Sequence, residues 1–196
     1  MIYLDMDGVL AKYSYAMYSQ DATPKWDEVG SHVFSCVQRD EFMYLVVEQL
    51  AKLIGSDLYT LTSVSDKSVT VRNEQIIDKM NWLANNYPMI NLCNFMACNT
   101  DKRNSIAKIK GFKLTSTDIL IDDYNPNLYA WREAGGTAIK YINTINSVGS
   151  WPGPCIGTVE REYVIDLEYG AVRIAVTNAV NTILDVWYKA GGKYAE

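Results

Sequence analysis

The chain has 196 residues, 48% of them hydrophobic and 21% charged, with a net charge of −5 and a pI near 5.0. That length suits one globular domain with a sizeable core, and the acidic balance argues against broad, non-specific binding to long nucleic acid. No apolar run approaches the ~18–20 residues of a membrane-spanning helix, and four cysteines without C-x-x-C spacing plus the single histidine, His32, argue against a structural zinc site, a disulfide scaffold or a histidine-based triad.

Ile2-Tyr3-Leu4 reads as a buried strand that runs into Asp5-Met6-Asp7-Gly8. Two aspartates at this spacing meet one ligand only if the strand ends or bends. Gly8 permits the bend. An ordinary turn has the same local pattern; a calcium loop fits less well, because Val9-Leu10-Ala11 supply no further oxygen ligands. A core strand at the start also predicts no signal peptide, hence a cytoplasmic protein with reduced, buried thiols.

Residues 11–40 are Tyr-rich and irregular, with Pro24, Trp26 and Gly30, and read as a small insert. Asp40 is placed to cap a helix through Phe42, Leu45, Val46, Leu50 and Leu53, closed by Gly55. Residues 57–61 form the second predicted strand, with Thr62 and Ser63 just beyond it. A helix over 71–86 follows, its apolar face supplied by Ile76, Ile77, Met80, Trp82 and Leu83, and Pro88 stops it. Residues 91–98 are the third strand. Thr100 or Asp101 then caps a helix through Ile106 and Ile109 that ends near Gly111.

The fourth strand, 118–121, runs into Asp122 and Asp123. A short helix over 127–133, the pair Gly135-Gly136 and a fifth strand over 137–142 come next. Residues 144–170 are a Gly/Pro-rich loop with a short strand at Tyr163-Val164-Ile165, and a last helix covers 171–189. The alternation predicts an α/β fold, a doubly wound parallel sheet of Rossmann type in a single domain over 1–196, with a small cap insert after the first strand. The tail, 147–196, is expected to pack on the core or to support a homodimer.

In a parallel sheet all strand ends point to one edge. Asp5, Asp7, Thr62, Ser63, Lys102, Asp122 and Asp123 should therefore converge although they lie far apart in the chain. Alone, Thr62-Ser63 suits a turn, a lysine suits a solvated helix face and Asp122-Asp123 suits a helix cap. Together they suit phosphoryl transfer. Carboxylates hold Mg²⁺, and the metal lowers the repulsion between a carboxylate nucleophile and a phosphate. Hydroxyl and lysine donors grip the phosphate oxygens, and a second carboxylate serves as acid and then base.

These residues resemble the haloacid dehalogenase-like (HAD) superfamily of phosphatases. Asp5-Met6-Asp7-Gly8-Val9 resembles its first motif and Leu61-Thr62-Ser63 its second. Lys102, after Asn99-Thr100-Asp101, resembles its third-motif lysine, and Ile121-Asp122-Asp123 its acidic fourth motif. Within the superfamily the chain is most similar to the 5′(3′)-deoxyribonucleotidase branch and its bacterial and phage-type relatives. The closer cues are Thr62-Ser63, Asp78-Lys79-Met80-Asn81-Trp82-Leu83, Asp101-Lys102 and Ile121-Asp122-Asp123-Tyr124. Asn127-Leu128-Tyr129-Ala130-Trp131, leading to Gly135-Gly136 and Ile139-Lys140, resembles the bacterial relatives. The likeness covers about residues 1–146.

The resemblance implies a Mg²⁺-dependent phosphoric monoester hydrolase with Asp5 as nucleophile and Asp7 as general acid/base. Asp5, the Asp7 carbonyl and one of Asp122 and Asp123 would hold the metal. Thr62 and Ser63 would bind phosphate, with Lys79 and Lys102 neutralising it; Lys113 is a rival for Lys102. The implied partner is a small phosphorylated substrate, a nucleoside monophosphate. In that branch a helical cap carries aromatic residues that stack on the base. Tyr13, Trp26 and Phe34, with Tyr15 and Tyr18, are available for this here, in an insert shorter than is usual there. The alternatives are a HAD phosphatase for another small phosphate ester or a nucleic-acid terminus, and a non-catalytic phosphate-binding protein on the same fold. The intact pair Asp5 and Asp7 counts against the last.

Overall fold

The computed structural model describes residues 1–12, 34, 37–65, 68–99, 101–104, 106, 111, 113–143, 145–157 and 169–192. In chain order the strands are β1 (Ile2–Leu4), β2 (Ala11–Lys12), β3 (Gln38–Arg39), β4 (Leu58–Ser63), β5 (Phe95–Cys98), β6 (Ile119–Asp122), β7 (Thr137–Tyr141) and β8 (Cys155–Ile156). The main helices are α1 (Glu41–Ile54), α2 (Val69–Asn86), α3 (Asn125–Glu133) and α4 (Tyr169–Lys189).

Six strands form one parallel sheet in the order β5-β4-β1-β6-β7-β8. From β1 the chain winds outward to β4 and β5, then crosses back over β1 to build β6, β7 and β8 on the other side. The order therefore reverses beside β1, and the crevice outside the carboxyl ends of such strands is where an open α/β sheet takes its ligand.

Alternation along the strands divides the core between two faces. Ile2 and Leu4 join Ile119, Ile121, Ile139 and Tyr141 under Val46, Val47 and Leu50 of α1 and Val180, Ile183 and Trp187 of α4. Tyr3, Leu61 and Leu120 face the other way, toward Leu128 and Trp131 of α3 and toward Ile106. Both faces of β1 are covered, which is why its sequence is apolar throughout rather than alternating.

Local chemistry sets the boundaries, and in several places it moves them from the expected ones. Asp40 caps α1 by accepting the Met43 N–H at 3.0 Å, as its position predicted. Ser68 accepts the Val71 N–H at 3.1 Å, so α2 starts at Val69, earlier than expected. β4 and β6 run further than predicted: Thr62, Ser63 and Asp122 lie inside strands, held by pairing with Ala97, Cys98 and Lys140. The third strand is shorter than predicted, because Asn91 caps a 3₁₀ turn over Leu92–Asn94 before β5 begins. β8 was not predicted; two residues among Pro152, Gly153 and Pro154 show no alternation to read.

The predicted strand at 163–165 lies outside the described residues, as does most of the insert, including Tyr13, Tyr15, Tyr18 and Trp26. The root of the insert is described: β2 and β3 pair antiparallel, Ala11 with Arg39 and Lys12 with Gln38. Among the described residues no helix is long and apolar enough to cross a membrane.

Candidate active site

β1 ends at Leu4, but the Asp5 N–H still donates to the Ile121 carbonyl at 3.0 Å. Asp5 thus keeps its place in the sheet and points to the same face as Tyr3. The chain then turns sharply: the Ala11 N–H donates to the Met6 carbonyl at 2.8 Å, and Gly8 has φ 80°. Only glycine takes that backbone at little cost, and a Cβ there would strike the Asp123 carboxylate. This turn carries Asp7 sideways toward the end of β4.

Two polar clusters result. In the first, the Lys102 ammonium lies 2.8 Å from Asp5 Oδ1 and 2.6 Å from Asp122 Oδ2, with all three side chains buried. Both oxygens of Asp122 are engaged: its Oδ1 accepts the Tyr124 N–H at 2.8 Å, and its Oδ2 also accepts from Asn127 Nδ2 at 2.9 Å. Asp5 Oδ1 takes the Met6 N–H at 2.8 Å besides facing Lys102, while Asp5 Oδ2 has no hydrogen bond among the described residues. Asp123 follows the same pattern. Its Oδ2 accepts from Asn143 and Asn146, and its Oδ1 accepts nothing among the described residues.

Asp5, Asp122 and Asp123 each offer an oxygen within 4.8 Å of the others, and this buried, oxygen-only set can hold a hard divalent cation. Its electrostatics point the same way. Burial raises the Asp5 carboxyl well above the ordinary range; Lys102 works against this, and Asp122, Asp7 and Asp123 add to it. Asp123 is pushed up to about 6 by burial and then by Asp122, with Asn146 and Asn143 opposing. Burial works to lower Lys102, but Asp122 and Asp5 outweigh it and its pKa ends above the ordinary lysine value. Crowded like charges in low dielectric need cations.

The second cluster centres on Lys79, buried in the third turn of α2. Its ammonium donates to Asp7 Oδ2 at 2.6 Å, Thr62 Oγ1 at 2.7 Å and the Ser63 carbonyl at 2.7 Å, using all three protons. Thr62 Oγ1 also donates to Asp7 Oδ2 at 2.9 Å. Alternation sends the neighbouring Ser63 hydroxyl to the opposite face, where it is 4.0 Å from Cys98 Sγ. Phe34 is buried rather than open to the crevice. Its N–H donates to Asp78 Oδ2 at 2.8 Å, its ring packs edge-on against Trp82, and the Lys79 ammonium lies 4.8 Å from the ring centroid. Lys113, the rival for Lys102, is exposed.

The fold thus gathers Asp5, Asp7, Thr62, Lys79, Lys102, Asp122 and Asp123 at one sheet edge, while Tyr13 and Trp26 lie outside the described residues. Sequence reasoning passed over Asn143 and Asn146, whose amides brace Asp123, and noted Asn127, which donates to Asp122, only as part of a motif. It noted Lys140 only as part of a motif; the ammonium is fully buried and donates to the Asp123 carbonyl. A lysine at the end of an apolar strand was the available signal; Asn143 and Asn146, in the loop after β7, left none.

No protein-family model and no curated protein matches this chain. Solved structures do. The D,D-heptose 1,7-bisphosphate phosphatase from B. bronchiseptica, complexed with magnesium and phosphate, aligns with a TM-score of 0.52 at 13% identity, over 85% of this chain and 98% of that one. A HAD-superfamily hydrolase from Ehrlichia chaffeensis aligns with a TM-score of 0.44 at 10% identity, over 92% of this chain and 97% of that one. The likeness to the heptose bisphosphate phosphatase is one of fold: this chain shares with it a Rossmann-type doubly wound parallel sheet.

Proposed function

We propose that this chain is a Mg²⁺-dependent phosphomonoesterase that forms an aspartyl-phosphate on Asp5 and acts on (deoxy)ribonucleoside monophosphates. The observation that carries the reading is the state of Asp5. It sits at the switch point of the sheet with one oxygen held by the Met6 N–H and Lys102 and the other without a hydrogen bond among the described residues. A buried carboxylate so anchored, with a second carboxylate two residues on, is the arrangement a covalent phosphatase needs. The fold shared with a phosphatase crystallised with magnesium and phosphate supports the same chemistry.

The donor set fits magnesium. Asp5 and Asp123 each have an oxygen to give and would hold the ion together with the Asp7 carbonyl. Asp122, both oxygens engaged, stands behind them and fixes Lys102. When bound, the metal supplies positive charge that lowers the repulsion between carboxylate and phosphate and stabilises the phosphoryl oxygens. The rest is the work of the chain. The Asp5 carboxylate attacks phosphorus; the leaving alkoxide departs as alcohol with a proton from Asp7. Asp7 then takes a proton from water, which attacks the aspartyl-phosphate, frees inorganic phosphate and restores Asp5. Lys79, Lys102 and Thr62 hold the phosphoryl oxygens, while the Ser63 hydroxyl, turned toward Cys98, does not. The nucleotide preference rests on the sequence likeness around Thr62-Ser63, Lys79 and Asp122-Asp123, and the aromatic insert would receive the base.

The test is phosphate release from a panel of nucleoside monophosphates and sugar phosphates with Mg²⁺. Release from a nucleotide by wild type and none by Asp5→Asn is expected. Equal release by both removes Asp5 as nucleophile. Release from sugar phosphates alone keeps the chemistry and rejects the nucleotide. Tight binding without turnover at any metal concentration makes the protein a phosphate binder instead.

A further inference from the structure

Three side chains from β7 and the loop after it converge on one residue, Asp123. The Lys140 ammonium donates to its carbonyl oxygen. The amide nitrogen of Asn143 donates to its Oδ2, and Asn146 Nδ2 donates to the same oxygen at 2.8 Å. Asn143 is itself locked, since its Oδ1 accepts the N–H groups of Ile145 at 2.9 Å and Asn146 at 2.8 Å. Its Nδ2 also reaches the Gly8 carbonyl at 2.9 Å. One amide therefore stitches the loop after β1, which carries Asp5 and Asp7, to the loop after β6, which carries Asp123.

The consequence for Asp123 is directional. Two donors on Oδ2 fix the rotation of the carboxylate and leave Oδ1 as its open acceptor. Lys140 adds charge to this geometry. It pairs in register with Asp122, is fully buried, and makes one hydrogen bond among the described residues, to Asp123. A buried ammonium with so few partners is costly, and the adjacent acidic pair offsets that cost. None of these three residues is needed to touch a phosphate or the reacting atoms.

We infer that Lys140, Asn143 and Asn146 are positioning residues that set Asp123 as the carboxylate presented to the divalent cation. This rests on the metal-dependent reading proposed above. Residues that orient a metal ligand typically change affinity by about 10–100-fold when removed.

The experiment is titration of the metal-free protein with Mn²⁺, following free Mn²⁺ by electron paramagnetic resonance, with thermal unfolding of each variant alongside. Asn146→Ala is the primary variant because the residue is partly exposed; Asn143→Ala and Lys140→Met accompany it. Asn94→Ala serves as control, its amide donating to the Ser56 and Leu58 carbonyls at the opposite edge of the sheet. A loss of Mn²⁺ affinity of roughly tenfold or more in Asn146→Ala, with the control at wild-type affinity, supports the inference. Wild-type affinity in folded Asn146→Ala overturns it, even if the unfolding temperature drops, since a merely structural role moves stability alone. Should Asn143→Ala or Lys140→Met fail to fold, Asn146→Ala decides. Absence of Mn²⁺ binding in wild type is a different result: it rejects the metal-dependent reading itself.

Discussion

Lys79 holds Asp7: the ammonium lies 2.6 Å from Asp7 Oδ2, across 72 residues of chain. Thr62 Oγ1 completes the contact at 2.9 Å. In the proposed mechanism these donors also serve the phosphate, so an incoming phosphoryl group competes with Asp7 for them and frees Asp7 toward the leaving group. Lys79→Met removes a charge-assisted bond of about 1.5–3 kcal/mol. A fall in kcat/KM of roughly 10–100-fold is expected, read from steady-state kinetics with Mg²⁺. Unchanged kcat/KM would leave Lys79 a structural ion pair.

Asp5→Asn separates chemistry from folding. The substitution keeps shape but removes the nucleophile, and turnover should drop by at least about a thousandfold. It also removes a charge that burial and three neighbouring carboxylates disfavour. The metal-free variant should therefore unfold at the wild-type temperature or above it at pH 7.5. A large drop in unfolding temperature would show that the ion pair with Lys102 matters more than the repulsion.

Gly8→Ala should be damaging for two independent reasons. The backbone φ of 80° strains any side chain, and a Cβ meets the Asp123 carboxylate and the Asn143 amide. Strain of this kind costs about 1–3 kcal/mol. Denaturant unfolding should show that loss, together with weakened metal binding. Full retention of both properties contradicts the packing described here.

The metal-free protein should lose stability as pH rises. Asp123 titrates near 6 in the fold and at about 3.9 in an unfolded chain. Its folded pKa is the higher, so its contribution is fully present below the unfolded value and is lost as pH rises through about 6. Thermal unfolding in chelator should give a lower midpoint at pH 7.5 than at pH 5, and Mg²⁺ should recover part of the difference. Equal midpoints in chelator at both pH values would contradict the shift assigned to Asp123.

Tyr87 tests the root of the insert. Its hydroxyl donates to the Leu10 carbonyl at 2.9 Å and lies 3.1 Å from that of Asp40, and Asp40 N–H meets Leu10 O at 2.8 Å. Tyr87→Phe removes the hydroxyl donor while the Asp40 N–H still serves Leu10 O and the Tyr44 N–H still serves Asp40 O, so it should cost about 0.5–1.5 kcal/mol, measured by denaturant unfolding.

Much of this was legible in the residues. The apolar runs before Asp5, Thr62 and Asp122 marked strands, the capping residue Asp40 marked a helix start, and parallel winding implied that the polar ends meet. Less was legible where a choice depends on neighbours distant in the chain. Asp122 and Asp123 are adjacent and identical in type, yet one has both oxygens engaged by Lys102, Asn127 and the Tyr124 N–H, while the other has one oxygen with no donor among the described residues. Thr62 and Ser63 read as one motif, but lying inside β4 they turn their hydroxyls to opposite faces.

The amino-acid sequence by itself determined the order of strands and helices and which carboxylates and lysines stand at strand ends, because periodicity, caps and turns are local and each is written within a few residues. The tertiary structure alone decided which oxygens of Asp5, Asp122 and Asp123 are held, why Gly8 has no room for a side chain, and that Lys140, Asn143 and Asn146 brace Asp123. Those outcomes depend on hydrogen bonds and burial between segments joined only when the sheet closes over β1, and no local pattern encodes the direction in which a side chain meets a partner a hundred residues away.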